Sequence, residues 1–504
     1  MGIVQRDAIR TTIVSVLGLA LGYINRFYLA IVLFTSDQVG LINLLTTVAL
    51  LFAQLANLGT IYASWRFFPF FRNEEKKHYG FLMLNVLLVC IGIILFTILA
   101  IVFDQPIIGH YKDSPLFGEY YFWIIPIGIA NVFYLLFESY MRGLFENVLP
   151  VFLQDIVLRV LIFILLVLTK FGILDFKSFF TLHALAFFVP SVILMVHLIK
   201  KGELTLSLKS ITVPKRFRKI LINFSLVSYI NTLATMLVIS LDAMMVGAYL
   251  GLSATGIYTT IIYLTSAMNM PYRAVIRVST PLVAKYWKEK NMVQLNELYQ
   301  KSSSVGLFIG LFGFSAVYLP IRELFSFIDK PEYLQGISVF AILMVGRILD
   351  MYAGLNGTIF STSRKFKYDL IFTVFLCVLV FVLNLFFIPK WGINGAAIST
   401  SIAYVGYNVL RCWYIYYLYK LQPFRWRQLK LMALFAVFFT SSLFLLELPF
   451  FTEIPRIVSI LFKEIFLMLG FALPVYVFNL EPEIVSYAKN FLQKWSVKFG
   501  LKKS

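Results

Sequence analysis

Several ionisable side chains lie inside apolar stretches that are long enough to cross a lipid bilayer. Arg26 and Asp242 stand 216 positions apart in two such stretches, and Arg273 and Arg277 stand one helical turn apart in a third. A charge in hydrocarbon costs roughly a few kcal/mol or more, so these residues are expected to face a cavity or a partner. Arginines on one helix face suit the oxygens of a phosphate group. The pattern therefore favours binding of an anionic, phosphate-bearing molecule within the membrane.

Further polar residues on the same stretches complete the candidate site. The candidate cavity residues are Arg26, Arg273, Arg66, Arg277, Asn25, Asn57, Asn231 and Asn269. The four amides could hydrogen-bond sugar hydroxyls or could equally join neighbouring helices. The arginines have alternatives of their own: an ion pair between Arg26 and Asp242, and snorkelling of Arg273 and Arg277 to the inner membrane surface. Arg66, at the end of its apolar stretch, could also be an ordinary inner-surface charge.

Other charges in these stretches occur as pairs at helical spacing. Local neutralisation is the simpler interpretation for Glu138 with Arg142, Asp155 with Arg159, and Arg347 with Asp350. Two carboxylates are candidates for charge modulation or ion coupling, namely Asp242 beside Arg26 and Glu138 as a carrier of a coupling proton. Lys463 with Glu464 is predicted to be peripheral, and His183 is predicted to be a packed core histidine.

The composition indicates that these residues are positioned by helices that lie in the lipid bilayer. The chain has 504 residues, of which 60% are hydrophobic and 14% are charged, whereas a soluble domain carries about a quarter charged residues. Segments of roughly 20 apolar residues, the length that crosses the hydrocarbon, recur to the C-terminus. The expected fold is an all-α polytopic membrane protein with fourteen spans, approximately 9–34, 38–62, 79–103, 119–142, 149–169, 178–199, 220–249, 254–280, 302–320, 336–361, 369–388, 393–418, 429–447 and 456–478.

The distribution of positive charge orients these spans. The loop 200–219 carries seven Lys and Arg, whereas the next turn, 250–253, carries none. Because cytoplasmic loops are enriched in Lys and Arg, both termini are predicted to be cytoplasmic. The net charge of +19 thus reflects membrane topology, and nucleic acid is not an expected partner. Two inner segments, 284–301 and 483–503, alternate aromatic residues with lysines and are predicted to lie on the membrane surface, the alternative for the tail being a solvated segment.

An internal duplication divides the chain. Val39-Gly40 opens span two and Thr255-Gly256 opens span eight, 216 positions later, while 170–173 and 390–393 match at an offset of 220. These offsets predict two pseudo-symmetric lobes of six helices and two appended helices. The predicted domains are an N-lobe (1–200), a basic cytoplasmic linker (201–219), a C-lobe (220–420), spans thirteen and fourteen (421–480), and a cytoplasmic amphipathic tail (481–504).

The chain resembles a known family at two of these junctions. Residues 242–258, at the junction of spans seven and eight, and residues 388–397, at the entry to span twelve, are similar to the polysaccharide-transporter branch of the MOP superfamily, the Wzx-type O-antigen flippases. The resemblance implies a MATE-like fold in which a lipid-linked oligosaccharide crosses from the cytoplasmic to the outer leaflet through a cationic cavity between two lobes. It also supports cationic residues on spans one, two, seven and eight as cavity residues.

These features lead to a set of functional expectations. The protein is expected to be a flippase of the bacterial inner membrane that acts as a monomer, with membrane lipids and other polysaccharide-assembly proteins as partners. No nucleotide-binding loop, metal cluster or nucleophile constellation occurs, so no cofactor is expected, and coupling to H⁺ or Na⁺ stays open. A cation-coupled multidrug exporter is the alternative. An O-antigen polymerase or ligase is disfavoured because no sizeable outside loop is predicted.

Overall fold

A computed structural model describes residues 3–73, 77–112, 114–203, 215–327, 330–363, 365, 367–446, 455–486 and 489. Every regular element among these residues is a helix, so the predicted all-α class is confirmed. The chain forms two compact units, 1–260 and 261–504. The six-plus-six-plus-two division stays a prediction.

The first unit contains long apolar helices joined by short turns. Two of its helices are interrupted by π-helical turns, Ile24–Leu29 and Leu153–Val157. The principal helices are Ile3–Tyr23, Ser36–Ala56, Thr60–Phe71, Phe81–Val102, Ile124–Gly143, Leu158–Lys170, Phe176–Ala186, Phe188–Lys200 and most of Lys215–Met268. Short helices occur at Ala30–Leu33, Lys77–Gly80, Asp104–Gly109, Pro115–Tyr120, Tyr121–Trp123 and Val148–Phe152.

The second unit begins within the helix Lys215–Met268. Its further long helices are Met270–Glu289, Met292–Tyr318, Gly336–Tyr352, Lys367–Tyr419, Trp426–Leu446 and Arg456–Leu467. Shorter helical elements are Ile321–Ser326, Pro331–Gln335, Asn356–Thr362, Met468–Ala472 and Leu473–Val477.

Eleven helices in the described part of the chain are long and apolar enough to cross a membrane. Two of them are divided by a glycine with non-helical backbone angles, Gly251 (φ 84°) and Gly392 (φ 58°). A positive φ is readily adopted only by glycine, so each glycine turns the chain between two predicted spans. Predicted span nine corresponds to the helix Met292–Tyr318, which is not among the eleven. The count of fourteen spans stays a prediction.

The outer surface of these helices is apolar. On Phe81–Val102, Ile91, Ile94 and Ile98 are 57%, 60% and 53% exposed. Soluble monomers rarely expose contiguous apolar patches of this kind, whereas hydrocarbon solvates them. The protein is therefore a polytopic membrane protein.

The last two long helices pack onto the helix Met292–Tyr318 through an apolar cluster that includes Leu307, Leu431 and Phe471. Within it, Lys463 is buried, donates to the carbonyl oxygen of Leu319 at 3.0 Å and pairs with the carboxylate of Glu323. The prediction that Lys463 is peripheral is therefore wrong. Its partner lies 140 positions away, beyond the reach of helical-spacing arguments.

The predicted surface segment 284–301 also packs differently from expectation. Leu295 is fully buried, and Trp287 contacts the Tyr419 ring with the centroids 4.7 Å apart. Its apolar side therefore packs against the protein, and the prediction that this side rests on lipid is wrong. Most of the predicted surface tail 483–503 lies outside the described residues.

Candidate functional site

Arg26 lies in the π-helical turn Ile24–Leu29, near the end of the first long helix, and its side chain is exposed. A π-turn inserts an extra residue into an α-helix and is frequent at functional sites. The adjacent Asn25 is buried, and its amide donates to the backbone carbonyl of Arg159 at 2.8 Å. The turn that carries Arg26 is thus attached to a neighbouring helix.

That neighbouring helix contributes a charged pair beside the turn. Arg159 donates to Asp155 at 3.0 Å, and Ser15 donates to the other carboxylate oxygen at 2.8 Å. A Cβ added at Gly18 would lie 2.2 Å from the carbonyl oxygen of Asp155, so the two backbones touch. The predicted pair of Asp155 and Arg159 is confirmed. With Arg26 close enough to interact electrostatically with Arg159, this region holds two guanidinium groups and one carboxylate.

Asp242 is buried and accepts a hydrogen bond from the Tyr258 hydroxyl at 2.9 Å. Asp242 and Tyr258 flank the glycine turn at Gly251, so the bond joins the two arms of that turn. The predicted effect of Asp242 on Arg26 stays a prediction.

Polar residues meet where the Ser36–Ala56 helix crosses the chain after Gly251. The hydroxyl oxygens of Ser36 and Ser253 are 2.7 Å apart, and Asn43 donates to Thr259 at 3.0 Å. A Cβ at Gly40 would lie 1.9 Å from the carbonyl oxygen of Leu252. The contacting pairs are separated by 217 and 216 positions, close to the offset found in the sequence. The division of the chain into two repeats stays a prediction.

The candidate amides have different environments. Asn57 is fully buried at a helix end, where it donates to the carbonyl of Gln54 and accepts from the amide of Gly59. Its amide therefore stabilises a turn, and sugar binding by Asn57 stays a prediction. The Asn231 amide oxygen, by contrast, is buried and lacks a hydrogen-bond partner among the described residues. Sugar binding by Asn231 also stays a prediction.

In the second unit, Asn269 immediately precedes the helix Met270–Glu289, which carries Arg273 and Arg277. Both arginine side chains are exposed, whereas Asn269 is buried. Positions four apart share a helix face, so the two guanidinium groups form one positively charged stripe. Their role as cavity residues stays a prediction. The side chain of Arg66 lies outside the described residues, although its backbone belongs to the helix Thr60–Phe71.

Glu138 pairs with Arg142 on its own helix, as predicted. Its role in ion coupling stays a prediction.

Arg347 lies over the Tyr404 ring at 5.1 Å, while Asp350 accepts a hydrogen bond from Asn408 at 2.9 Å. His183 is buried among phenylalanine rings, and the centroids of its ring and the Phe179 ring are 5.6 Å apart. This environment agrees with the predicted packed histidine.

A buried network in the second unit was missed by the sequence analysis. Arg411 is buried, pairs with Asp369 and lies 4.4 Å from the Tyr407 ring centroid. Asn356 connects Arg411 to Asn408. The available signal was the spacing of Asn408 and Arg411, which places two strongly polar residues on one face of an apolar helix.

Among the described residues, no group of three or more His, Cys, Asp and Glu side chains could hold a metal ion. Charged and polar groups are instead concentrated at helix interruptions in an apolar, lipid-exposed bundle. These features define a polytopic membrane protein that carries polar and charged groups inside its apolar spans.

The chain belongs to the polysaccharide biosynthesis protein family, whose model matches residues 4–287, more than half of the chain. It is 24% identical over 150 residues to the capsular polysaccharide biosynthesis protein CapF of Staphylococcus aureus, covering 29% of this chain and 37% of CapF. It is 22% identical over 195 residues to the probable low-salt glycan biosynthesis flippase Agl15 of Haloferax volcanii, covering 39% of this chain and 41% of Agl15. The matched regions thus span about two fifths of those relatives.

Two solved structures share the fold. The lipid II flippase MurJ in an inward closed conformation matches with a TM-score of 0.65 and 14% identity, covering 92% of this chain and 99% of that one. An inward-facing MATE-family multidrug resistance transporter of the MOP superfamily matches with a TM-score of 0.63 and 15% identity, covering 79% and 94%. At this identity the likeness establishes the fold alone. The family match confirms the predicted link to polysaccharide biosynthesis proteins, and the shared fold agrees with the MATE-like fold that the resemblance implied.

Proposed function

We propose that this chain is a flippase that moves a polyprenyl-diphosphate-linked oligosaccharide from the cytoplasmic to the outer leaflet of a bacterial inner membrane. The product would serve the assembly of cell-surface polysaccharide, with O antigen as one class. Family membership supports the proposal, as do the names of CapF and Agl15.

The observation that carries the proposal is the exposed Arg26 at a helix interruption inside an apolar span. Moving a diphosphate unassisted through hydrocarbon would forfeit hydration of about two negative charges, at a cost of tens of kcal/mol. Guanidinium groups replace part of that hydration with charge-assisted hydrogen bonds. Arg26, Arg273 and Arg277 are the proposed contacts for the diphosphate. The amide oxygen of Asn231 is a proposed acceptor for a sugar hydroxyl.

The crossing of Ser36, Gly40 and Asn43 with Ser253, Gly256 and Thr259 supports transport by alternating access. The positive-inside rule places these helix ends on the outer side of the membrane. A close crossing there would shut the outer exit, and its separation would open it. Two arrangements of similar free energy are sufficient for such a cycle.

A cation-coupled multidrug exporter would share this fold. It would bind cationic substrates, which acidic groups attract and arginines repel. The exposed Arg26, Arg273 and Arg277 favour an anionic substrate. The driving force, an H⁺ or Na⁺ gradient or consumption of the product, is a separate question for reconstituted protein.

The test uses Arg26→Ala and Arg273→Ala in cells whose surface polysaccharide depends on this gene. Loss of a hydrogen bond to a charged group costs about 1.5–3 kcal/mol, so export should fall about tenfold or more at unchanged protein level. Lys390→Ala removes an exposed positive charge from a predicted outside turn and should export normally. Lysine at positions 26 and 273 should restore part of the activity because the charge is kept.

Reconstituted protein then separates the two transporter classes. A leaflet-accessibility assay with a lipid-linked oligosaccharide should show flipping by the wild type and slower flipping by the alanine variants. Wild-type export by both variants would remove the assigned role of the two arginines. Efflux of a cationic drug without flipping would favour the exporter.

A further inference from the structure

A short segment after the last long helix folds back against the second unit. Residues 481–486 contain a helical turn in which the backbone amides of Ile484 and Val485 donate to the carbonyl of Glu481. Val485 is 5% exposed and Glu481 is completely buried. The segment is therefore docked on the protein, and its docking places a carboxylic acid in the interior.

The neighbours of Glu481 come from three other elements. Arg425 donates to Glu483 at 3.1 Å and to Gln300 at 2.8 Å, so the helix Met292–Tyr318 and the residues before the helix Trp426–Leu446 are linked through this arginine. Gln428 donates to Ser304 at 3.0 Å. The groups that act electrostatically on Glu481 or respond to its charge are Glu483, Arg425, Arg427, Ser304 and Tyr352.

Glu481 stands out because its carboxyl group is buried beside a second carboxylate. Among the described residues, neither of its side-chain oxygens meets a partner with regular hydrogen-bond geometry, although Ser304 is close enough to affect its charge, and one oxygen of Glu483 is also buried without a partner. Arg425, one of the two arginines that act on Glu481, is already engaged in an ion pair with Glu483. An ionised Glu481 would thus be a second negative charge in a site that contains one paired carboxylate, which is strongly unfavourable in the interior.

We propose that Glu481 is a proton-binding site. While Glu481 is neutral, segment 481–486 stays docked on the ends of the helices Met292–Tyr318 and Trp426–Leu446. Ionisation of Glu481 releases the segment. The inference does not depend on which substrate the protein carries.

The pH range of the release follows from the surroundings of the acid. Burial, and after it the charge of Glu483, raises the pKa of Glu481 from 4.5 to about 7, while Ser304, Arg425 and Arg427 act in the opposite direction. A carboxyl group whose pKa is raised by folding stabilises the docked state fully below pH 4.5, and this contribution is lost as pH rises through about 7. The segment is therefore docked in mild acid and released above neutrality.

The experiment measures the accessibility of the buried position 485 in purified full-length protein. Val485→Cys and the exposed Ser486→Cys are each placed in a background in which Cys90, Cys377 and Cys412 are replaced by serine. The ratio of maleimide labelling rates at 485 and 486 removes the intrinsic effect of pH on thiolate reactivity. Between pH 6 and pH 8 the ionised fraction of an acid with a pKa near 7 rises about tenfold, and the ratio should rise by a similar factor.

Two variants show whether Glu481 is responsible. Glu481→Gln keeps the shape and removes the charge, so the labelling ratio should remain at its low value at every pH. Glu289→Gln, an exposed carboxylate in the same unit, should leave the pH response unchanged. Glu483→Gln removes the repelling charge and frees Arg425, so the midpoint should move to lower pH.

Three results would overturn the proposal. They are a ratio independent of pH in the wild type, a persistent pH response in Glu481→Gln, and suppression of labelling at pH 8 by added NaCl but not by an equal concentration of choline chloride. The last result would make the ligand a sodium ion instead of a proton.

Discussion

Replacing Gly40 with alanine should separate the crossing of spans two and eight. The added Cβ would lie 1.9 Å from the carbonyl oxygen of Leu252, whereas ordinary contacts of a Cβ atom begin at 3.4 Å. The helices must therefore move apart by about 1.5 Å, the difference between these two values. Overpacking of this kind costs about 1–3 kcal/mol, which corresponds to roughly a fivefold to 150-fold shift toward arrangements in which the crossing is open.

The assay is disulfide formation between Ser36→Cys and Ser253→Cys in a background without the three native cysteines. The wild-type hydroxyl oxygens are 2.7 Å apart, so two thiols at these positions are close enough to form a disulfide. Oxidation of the double-cysteine protein should be rapid and should stop export until a reductant is added. Adding Gly40→Ala should slow the cross-linking at least fivefold.

A matched control is available in Gly406→Ala. A Cβ at Gly406 meets only the Leu379 side chain at 3.7 Å, which is an ordinary contact, so cross-linking should be unaffected. If Gly40→Ala cross-links as fast as the unmodified pair, the crossing does not resist separation in the way proposed. If the oxidised protein still exports polysaccharide, the crossing does not need to open during transport.

Two further predictions concern buried charges of the second unit. Lys463→Met leaves Glu323 without its main partner and should lower the free energy of unfolding by about 3–5 kcal/mol. A double variant that also carries Glu323→Leu should recover most of this lost stability, as measured by thermal shift. No recovery would show that the lysine acts through packing alone. Arg411→Met leaves Asp369 unpaired and should destabilise the protein by a similar amount, and adding Asp369→Asn to the same chain should reduce the loss of stability. Equal melting temperatures for wild type and Arg411→Met would contradict the assigned ion pair.

The sequence was sufficient for the all-α class and for the membrane location of the chain. The length of the spans and the difference in positive charge between inner and outer loops depend on the membrane, so both can be recognised in a single sequence. The offset of 216 positions between Gly40 and Gly256 also had a structural meaning, since these residues lie in contact. Local ion pairs such as Glu138 with Arg142 were predictable because a helix brings positions four apart together.

Partners distant in sequence could not be predicted in this way. Lys463 was paired with its sequence neighbour, whereas the fold brings it to Glu323, and the pairing of Arg411 with Asp369 was not predicted at all. Both pairings depend on which helix faces pack together. Hydrophobic periodicity predicts which face of a helix is buried, but it does not predict which helix packs against that face. The segment 284–301 shows the same ambiguity, since an apolar stripe can pack on lipid or on protein.

The π-helical turn at Ile24–Leu29 makes the direction of Arg26 sensitive to chain length. Each residue advances an α-helix by about 100°, and this turn accommodates one residue more than a regular helix of the same rise. Because the turn absorbs its extra residue, deleting one residue there would restore a regular helix and leave the facing of Ser15 toward Asp155 unchanged. The side chains within the turn, Arg26 among them, would take new directions. A one-residue deletion would therefore redirect Arg26 while sparing the contacts of the preceding helix.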